Sequence, residues 1–385
     1  MKSNVAVVKC DDYDYDKVKY SVKKSLALIG GLKKIVKPED NVLLKVNLIG
    51  PFPPESAATT HPIVVKAMCE LINDVNAKAI IGDSAGVYSD ESATPVFKAS
   101  GIYKAAKEAN ATILNFEKNG YRKMAVPKGK EFKELYFAKA VLDADVVVSL
   151  PKLKTHALAL YTGAVKNFFG CIPSRERKRS HRLTKIEPFS QSLIDIYSLA
   201  NCKLAVMDAV VGMEGNGPTH GKPRKLGAII AGYDAVAVDS VSSYLMGFKP
   251  LEIPHIRLAA EQGYGAGNLD DIGIIGDNID MIKTNFKKTM LQSKLVSIMP
   301  AKIVDVIQNM LISEPYLNKD NCTKCKACMN SCPVKAITMM PYPVIDRRKC
   351  ILCYCCHENC PTGAMELRKS YIGKAISKLR AKIGK

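Results

Sequence analysis

Short apolar runs alternate with amphipathic stretches over the first 285 residues. Apolar runs of four to six residues predict strands, at Val5–Val8, Asn41–Val46, Lys78–Gly82, Asp145–Leu150, Lys203–Asp208, Leu226–Ala231 and Ile272–Ile275. Apolar residues at helical spacing predict helices, at Lys17–Ile29, Pro62–Val75, Glu91–Ala109 and Asp234–Met246. Because apolar strands separated by amphipathic helices are typical of parallel sheets, the pattern predicts an α/β fold with a mostly parallel open sheet and helices on both faces.

The pattern changes after residue 285. Residues 286–317 lack strand character and carry helically spaced apolar residues interrupted by Pro300, which predicts a helical linker. Residues 369–385 place apolar side chains on one helical face and Lys and Arg on the other. We expect this basic amphipathic helix to pack on the protein's own body, and membrane-surface binding is the alternative. The predicted divisions are thus 1–285, 286–317, 318–368 and 369–385.

Cysteines dominate residues 318–368. Two complete C-x2-C-x2-C-x3-C-P runs begin at Cys322 and Cys350. This spacing resembles the bacterial dicluster ferredoxin domain, a small α+β unit in which the fourth Cys of each run ligates the other cluster. The resemblance implies two [4Fe–4S] clusters, one on Cys322, Cys325, Cys328 and Cys360, and the other on Cys350, Cys353, Cys356 and Cys332.

The alternatives for these cysteines are two zinc sites or a disulfide frame. Zinc ribbons show C-x2-C pairs and not two complete runs of this kind, so the spacing favours clusters. Cys355 is one cysteine more than the motif needs, and we expect it to be a small buried residue beside a cluster. The remaining cysteines are scattered, which is typical of a reducing cytoplasm. The first residues predict a strand and not a signal peptide.

Charge and composition narrow the partners. The chain of 385 residues has a formal net charge of +19, which favours anionic partners. The alternative is that lysine is enriched in all proteins of the organism and carries no information about partners. Trp is absent and aromatic residues make up 7%, so no stacking platform for single-stranded nucleic acid is evident and nucleic acid is not the expected partner. No apolar run reaches the length that spans a bilayer.

Polar residues cluster in loops where predicted strands end in the α/β body, and one of these predicted loops is Ser149–His156. Ligands of open parallel sheets bind at the carboxyl ends of the strands. We therefore predict catalytic roles for Lys152, His156, Asp83 and Asp208, and ligand or cofactor binding by Lys45, Lys154, Lys166, Asn167 and Glu214. The alternatives are an Asx-turn cap for Asp83 and a locally satisfied helix N-terminus for His156. Neither a Walker loop nor a strand–GxGxxG–helix unit occurs, which disfavours a nicotinamide site.

Four segments of the body together resemble domain-of-unknown-function family 362. They are Pro151–His156, Gly163–Gly170, the Asp83-Ser84 loop, and the loop from Asp208 to Glu214-Gly215-Asn216-Gly217-Pro218. The resemblance covers about residues 5 to 280. Members of this family often carry a C-terminal dicluster ferredoxin module, so the resemblance implies a cytoplasmic iron–sulfur protein. It does not supply a substrate.

The first functional hypothesis is an oxidoreductase that passes low-potential electrons to an anionic ligand or second cofactor in the α/β body. Basic residues outnumber acidic ones in the cysteine-rich domain, which suits an acidic donor such as ferredoxin or flavodoxin. The alternative is a non-redox enzyme or binding protein for an anionic metabolite, with structural or sensing clusters. A third hypothesis, RNA binding, rests on the net charge and on Arg175–Arg182, which we expect to be a solvated loop and which could instead clamp a phosphate-bearing ligand.

Overall fold

The computed structural model describes residues 2–84, 94–288 and 313–369. The described residues up to 288 supply twelve strands. They are β1 (Ser3–Lys9), β2 (Asn41–Val46), β3 (Lys78–Asp83), β4 (Thr112–Asn115), β5 (Tyr121–Ala125), β6 (Glu134–Ala138), β7 (Val146–Leu150), β8 (Lys152–His156), β9 (Leu160–Thr162), β10 (Cys202–Glu214), β11 (Lys222–Gly232) and β12 (Ile272–Gly276).

Ten of these strands form one sheet in the order β12-β1-β11-β10-β7-β2-β3-β4, with β8 beside β10 and β9 beside β8. The pairs from β10 through β7, β2 and β3 to β4 are parallel, whereas β11 runs antiparallel to both of its neighbours. β5 and β6 pair separately as a hairpin. The predicted α/β class with a mostly parallel open sheet is confirmed.

Eleven helices accompany these strands in the described part of the body. They are α1 (Tyr15–Leu28), α2 (Pro62–Asn73), α3 (Thr94–Ala99), α4 (Ile102–Glu108), α5 (Phe116–Asn119), α6 (Lys139–Leu142), α7 (Ala164–Asn167), α8 (Ser174–His181), α9 (Ile186–Tyr197), α10 (Ala235–Leu245) and α11 (Pro254–Glu261).

Apolar side chains fill both faces of the sheet. Leu43 of β2 belongs to one large buried cluster, whereas its neighbours Val42 and Leu44 belong to another. The same alternation occurs in β7, because successive side chains of a strand point to opposite faces. A central strand that is apolar on both faces needs helices on both sides, and this is why these runs are continuous rather than alternating in the sequence.

The cysteine-rich part of the chain forms a small unit of short elements. Strand β13 (Ser313–Leu317) pairs antiparallel with β16 (Met365–Lys369), and β14 (Ile337–Met339) pairs with β15 (Pro343–Ile345). One short helix, Ala327–Ser331, follows the first cysteine loop, and a second, Cys355–Glu358, follows the other. The small α+β unit is therefore present.

Three local predictions need correction. Residues 313–317 form a strand, although the sequence placed them in a linker without strand character, because Met365–Lys369 offers them a partner. Lys152–His156 was expected to be a loop and is strand β8, which pairs with β10 and β9. Arg175–Arg182 was expected to be a solvated loop, and Ser174–His181 is helix α8, which buries Glu176, Ser180 and His181 on one face.

Other predicted segments lie outside the described residues. These are the start of the Glu91–Ala109 helix, most of the 286–317 linker and nearly all of the 369–385 amphipathic helix. Among the described residues, none of the helices combines the length and the apolar character that crossing a bilayer requires.

Candidate functional site

The eight motif cysteines line two separate cavities. Four of them surround one cavity, namely Cys322, Cys325, Cys328 and Cys360. The other four, Cys332, Cys350, Cys353 and Cys356, surround the second. Each cavity thus takes three cysteines from one run and the fourth from the other run, which is the exchange that the motif implies.

Both cysteine loops share an unusual backbone. Lys324 and Lys326 adopt positive φ angles of 57° and 63°, and Leu352 and Tyr354 occupy the equivalent positions with 56° and 62°. Residues other than glycine avoid this left-handed region at a cost of about 1–2 kcal/mol each, so the repeat of the same strain in both runs indicates a shared constraint. Such turns aim successive N–H groups inward and form concave sites for iron–sulfur clusters.

The other chemistries considered for these cysteines fit less well. All thirteen cysteines are unpaired, so no disulfide frame exists. Among the described residues, no three His, Cys, Asp or Glu side chains converge closely enough to hold a single metal ion. The backbone N–H of Ala336 donates to Cys332 Sγ at 3.2 Å, as N–H groups do around cluster sulfur. The residues present therefore fit [4Fe–4S] binding.

A third cavity of about 110 Å³ lies between the α/β body and the cysteine-rich unit. The body contributes residues from the carboxyl ends of β2 and β3, from the middle of β8, and from α7 and α8. The cysteine-rich unit contributes four residues, Ser331, Cys355, Glu358 and Asn359. Five of the site residues that the sequence predicted line this cavity, namely Lys45, Asp83, Lys154, Lys166 and Asn167.

Lys45 and Asp83 form a buried ion pair at one side of this cavity. Lys45 Nζ lies 2.8 Å from Asp83 Oδ1 and donates to the carbonyl of Val46 at 2.7 Å. Asp83 also accepts the backbone N–H groups of Leu48 and Ser84. Burial raises the pKa of Asp83, and the Lys45 ammonium opposes that rise. A Cβ at Gly170 would come within 2.4 Å of Asp83 Oδ1, so the close approach of this loop requires glycine.

Lys154 and Lys166 bring further positive charge to the cavity. The side chain of Lys154 is fully buried, and its ammonium donates to the carbonyl of Ala58 at 2.9 Å. Burial, with the charges of Lys166 and Lys152, lowers the pKa of Lys154 well below its usual range. Burial also lowers the pKa of Lys166. These shifts reflect chiefly the cost of holding ammonium groups away from water, and a bound anion would offset that cost.

Cys355 connects the cavity to the cysteine-rich centre. This residue lines this cavity and also the cavity surrounded by Cys332, Cys350, Cys353 and Cys356. Cys355 therefore lies between the two cavities. The prediction that Cys355 is a small buried residue agrees with its 3% exposure.

Comparison with known proteins agrees with this division of the chain. Residues 42–244 match the family described as domain of unknown function (DUF362), and residues 321–364 match the 4Fe-4S dicluster domain. A thylakoid-associated protein from Synechocystis sp. is 32% identical over 267 residues, which make up 69% of this chain and 80% of that protein. The chain belongs to the DUF362 family.

One solved structure offers a more distant comparison. The lactate racemase apoprotein from Thermoanaerobacterium thermosaccharolyticum superposes with a TM-score of 0.41 at 12% identity. The superposition covers 64% of this chain and 57% of the racemase, which is less than two thirds of the racemase's length.

In this DUF362 chain, the predicted catalytic residues Lys152 and Asp208 lie apart from the described residues that line the cavity. They are register partners on β8 and β10, with Lys152 Nζ 2.8 Å from Asp208 Oδ2. Tyr13 completes the group, because its hydroxyl contacts both side chains and its ring stacks on His61 at 3.5 Å. Burial lowers the pKa of His61 to about 4. Neither Lys152 nor Asp208 is among the described residues that line the cavity.

His156, Asn167 and Glu214 occupy three different settings. His156 is buried at the end of β8, where Nδ1 accepts two backbone N–H groups and Nε2 lies 3.7 Å from Glu358 Oε1. It is not at a helix N-terminus. Asn167 lines the cavity and donates to the carbonyl of Lys45 at 2.7 Å. Glu214 accepts the backbone N–H of Lys287 and is not among the described lining residues.

Sequence reasoning missed several lining residues of the DUF362 cavity. Thr162 comes from the body, and Ser331, Glu358 and Asn359 come from the dicluster domain. Glu358 and Asn359 could have been noticed, since they are polar residues between the ligand positions Cys356 and Cys360. The basic run on α8 was noted as a possible ligand clamp, and Arg177, Lys178 and His181 belong to it.

Proposed function

We propose that this protein is an iron–sulfur oxidoreductase that acts on an anionic ligand in the cavity between its two units. The observation that carries the proposal is the position of Cys355, which lines both the ligand cavity and the second cysteine cavity. When bound, two [4Fe–4S] clusters would supply one-electron transfer between an external carrier and the cavity. The chain's own part is to hold the anion on Lys154 and Lys166 beside Cys355.

Two charged side chains of the cavity are shielded from bulk water. Lys154 is fully buried and Glu358 is 6% exposed, so charges in this space interact more strongly than they would in water. Lys45 and Asp83 neutralise each other and fix the ends of β2 and β3. We assign them a positioning role rather than one in charge transfer. All thirteen cysteines are unpaired, so we also propose a reducing compartment such as the cytoplasm.

The first cysteine cavity offers a docking surface for the donor. Cys325 is exposed, as are the neighbouring Lys319, Lys324 and Lys326. Lysines around an exposed cluster ligand would attract an acidic one-electron carrier such as ferredoxin or flavodoxin and accelerate its association at low salt. The carrier would lose one electron and the protein would gain it.

Anaerobic mixing with reduced acidic ferredoxin tests this function. We expect the visible absorbance of the loaded protein to bleach, with a rate constant that falls as ionic strength rises. Replacing Lys319, Lys324 and Lys326 together by Gln should lower that rate constant roughly tenfold at low salt. The matched control replaces Lys33, Lys37 and Lys118, which are exposed lysines of the body. Clusters that stay oxidised at low salt would contradict the proposal.

A second candidate is a non-redox enzyme or binding protein for an anionic metabolite. It is favoured by the walls that Glu358 and Asn359 supply, since the dicluster domain would then be needed only to shape the cavity. Cys353→Ser separates the two candidates. Under the redox function this variant binds an anion but loses electron transfer, whereas under the second candidate its activity persists wherever the fold does.

A further inference from the structure

The cavity holds more positive than negative charge once its internal pairs are set aside. Lys45 is paired with Asp83, and Arg177 lies 3.3 Å from Glu117. No carboxylate of the described residues comes within ion-pair distance of the three other lining lysines, Lys154, Lys166 and Lys178. Glu358 is the one carboxylate in the described lining without a cationic partner from Lys or Arg. Three cations against one carboxylate leave a surplus of two positive charges.

Three deeply buried side chains in the lining have unpartnered polar atoms. Thr162 Oγ1, His181 Nδ1 and Glu358 Oε1 form no hydrogen bond with any described residue. Their side chains belong to residues that are 3%, 7% and 6% exposed. An unsatisfied buried polar atom costs about 1–3 kcal/mol, so three in one cavity indicate that a polar ligand completes them. The Glu358 oxygen accepts hydrogen bonds when ionised and therefore suits a ligand hydroxyl or N–H.

The volume of the cavity indicates the size of that ligand. About 110 Å³ is available, and one water needs roughly 10–15 Å³ on the same measure. The space therefore holds on the order of ten water-sized groups, which is room for a small metabolite.

We propose that the cavity binds a small dianion that also carries hydroxyl groups, with its two negative charges on Lys154 and Lys166 and a hydroxyl group facing Glu358 and Thr162. A phosphate monoester and a hydroxylated dicarboxylate share this chemistry. Lys154 presents an ammonium from the middle of β8 and Lys166 presents one from α7, so the two charges approach from different elements. This inference rests on the proposed function for the place of the site and adds the class of its substrate.

Isothermal titration calorimetry of the anaerobic, oxidised and cluster-loaded protein tests the proposal. The probes are inorganic phosphate, malate and lactate, of which lactate lacks the second carboxylate. We expect phosphate or malate to bind at least tenfold more tightly than lactate, and the tighter of the two identifies the kind of dianion. Lactate binding as tightly as both dianions would overturn the proposal.

Charge-neutralising variants locate the binding in the cavity. K166Q, at a half-buried position, and K154Q should each weaken dianion binding tenfold or more, since each removes one charge-assisted contact. K203Q removes a positive charge from an exposed lysine that is not among the described lining residues, and it should bind as the parent does. If K154Q fails to fold, K166Q alone decides, and unchanged affinity in K166Q overturns the assignment.

The experiments distinguish failure of the redox function from failure of the dianion site. If dianions bind through Lys166 but acidic ferredoxin cannot reduce the clusters, the ligand class stands and the redox function falls. If ferredoxin reduces the clusters but malate and phosphate bind no better than lactate, the redox function stands and the dianion site is wrong.

Discussion

Lys45 Nζ lies 2.8 Å from Asp83 Oδ1, and the side chains are 1% and 3% exposed. The two residues end neighbouring parallel strands, with Lys45 opposite Gly82 in the register of β2 and β3. A charge pair at this depth is tolerated because each partner satisfies the other and because backbone groups complete their hydrogen bonds.

Removing one partner of this pair should therefore destabilise the body strongly. We expect K45M to lower the free energy of unfolding by about 3–5 kcal/mol, because Asp83 would remain buried without its counter-ion. Anaerobic urea denaturation measures the change. The control is K78M, which breaks the exposed pair between Lys78 and Glu39 and should cost less than about 1 kcal/mol. Equal losses of unfolding free energy in the two variants would show that the buried Lys45–Asp83 pair contributes no more to stability than the exposed pair.

Substitutions of Cys355 and Cys353 should affect the iron content of the protein differently, although the two residues are only two positions apart. Cys353 lines the second cysteine cavity as a motif ligand, whereas Cys355 is the extra cysteine in the wall. We expect C355A to keep about eight irons per chain after anaerobic preparation, as two [4Fe–4S] clusters require, and C353S to lose close to half of them. Iron analysis and electron paramagnetic resonance check this. Equal loss in both variants would make Cys355 a ligand.

Asp239 should make stability depend on pH near neutrality. It is fully buried, and burial raises its pKa to about 7, although its oxygens accept hydrogen bonds from Tyr161, Ala164 and Val165. The folded state then binds a proton that the unfolded state has released. Stability should fall as pH rises from about 4 to about 7 and change little above that range through this group.

D239N isolates this contribution, because its amide does not titrate. Urea midpoints measured between pH 5 and pH 8 should decline by less in D239N than in the parent. Parallel declines in the two proteins would mean that Asp239 stays ionised throughout.

The dicluster domain and the sheet could be predicted because their signals are local. Cluster ligation fixes the spacing within each run, and apolar runs of strand length predicted β2 and β3 with the charged residues at their ends. The cavity itself could not be predicted, since Glu358 reaches it from a segment that is distant in sequence from Lys154 and Lys166. Lys152 and Lys154 are close in the sequence, but β8 adds to the sheet beside β10 and pairs Lys152 with Asp208.

Helix α8 shows a second limit of local patterns. Its residues are almost all polar, so the sequence predicted a solvated loop. Tertiary packing decides otherwise, because Glu176, Ser180 and His181 lie on one buried face while basic side chains occupy the rest.

The lysine-lined cavity adjoins one of the two proposed cluster sites through Cys355. Anaerobic redox titration of K166Q, followed by electron paramagnetic resonance and compared with K203Q, tests it most directly. Removing the positive charge beside Cys355 should lower one of the two midpoint potentials by on the order of tens of millivolts and leave the other almost unchanged. If both midpoint potentials of K166Q equal those of K203Q, or if both shift by the same amount, the account is contradicted.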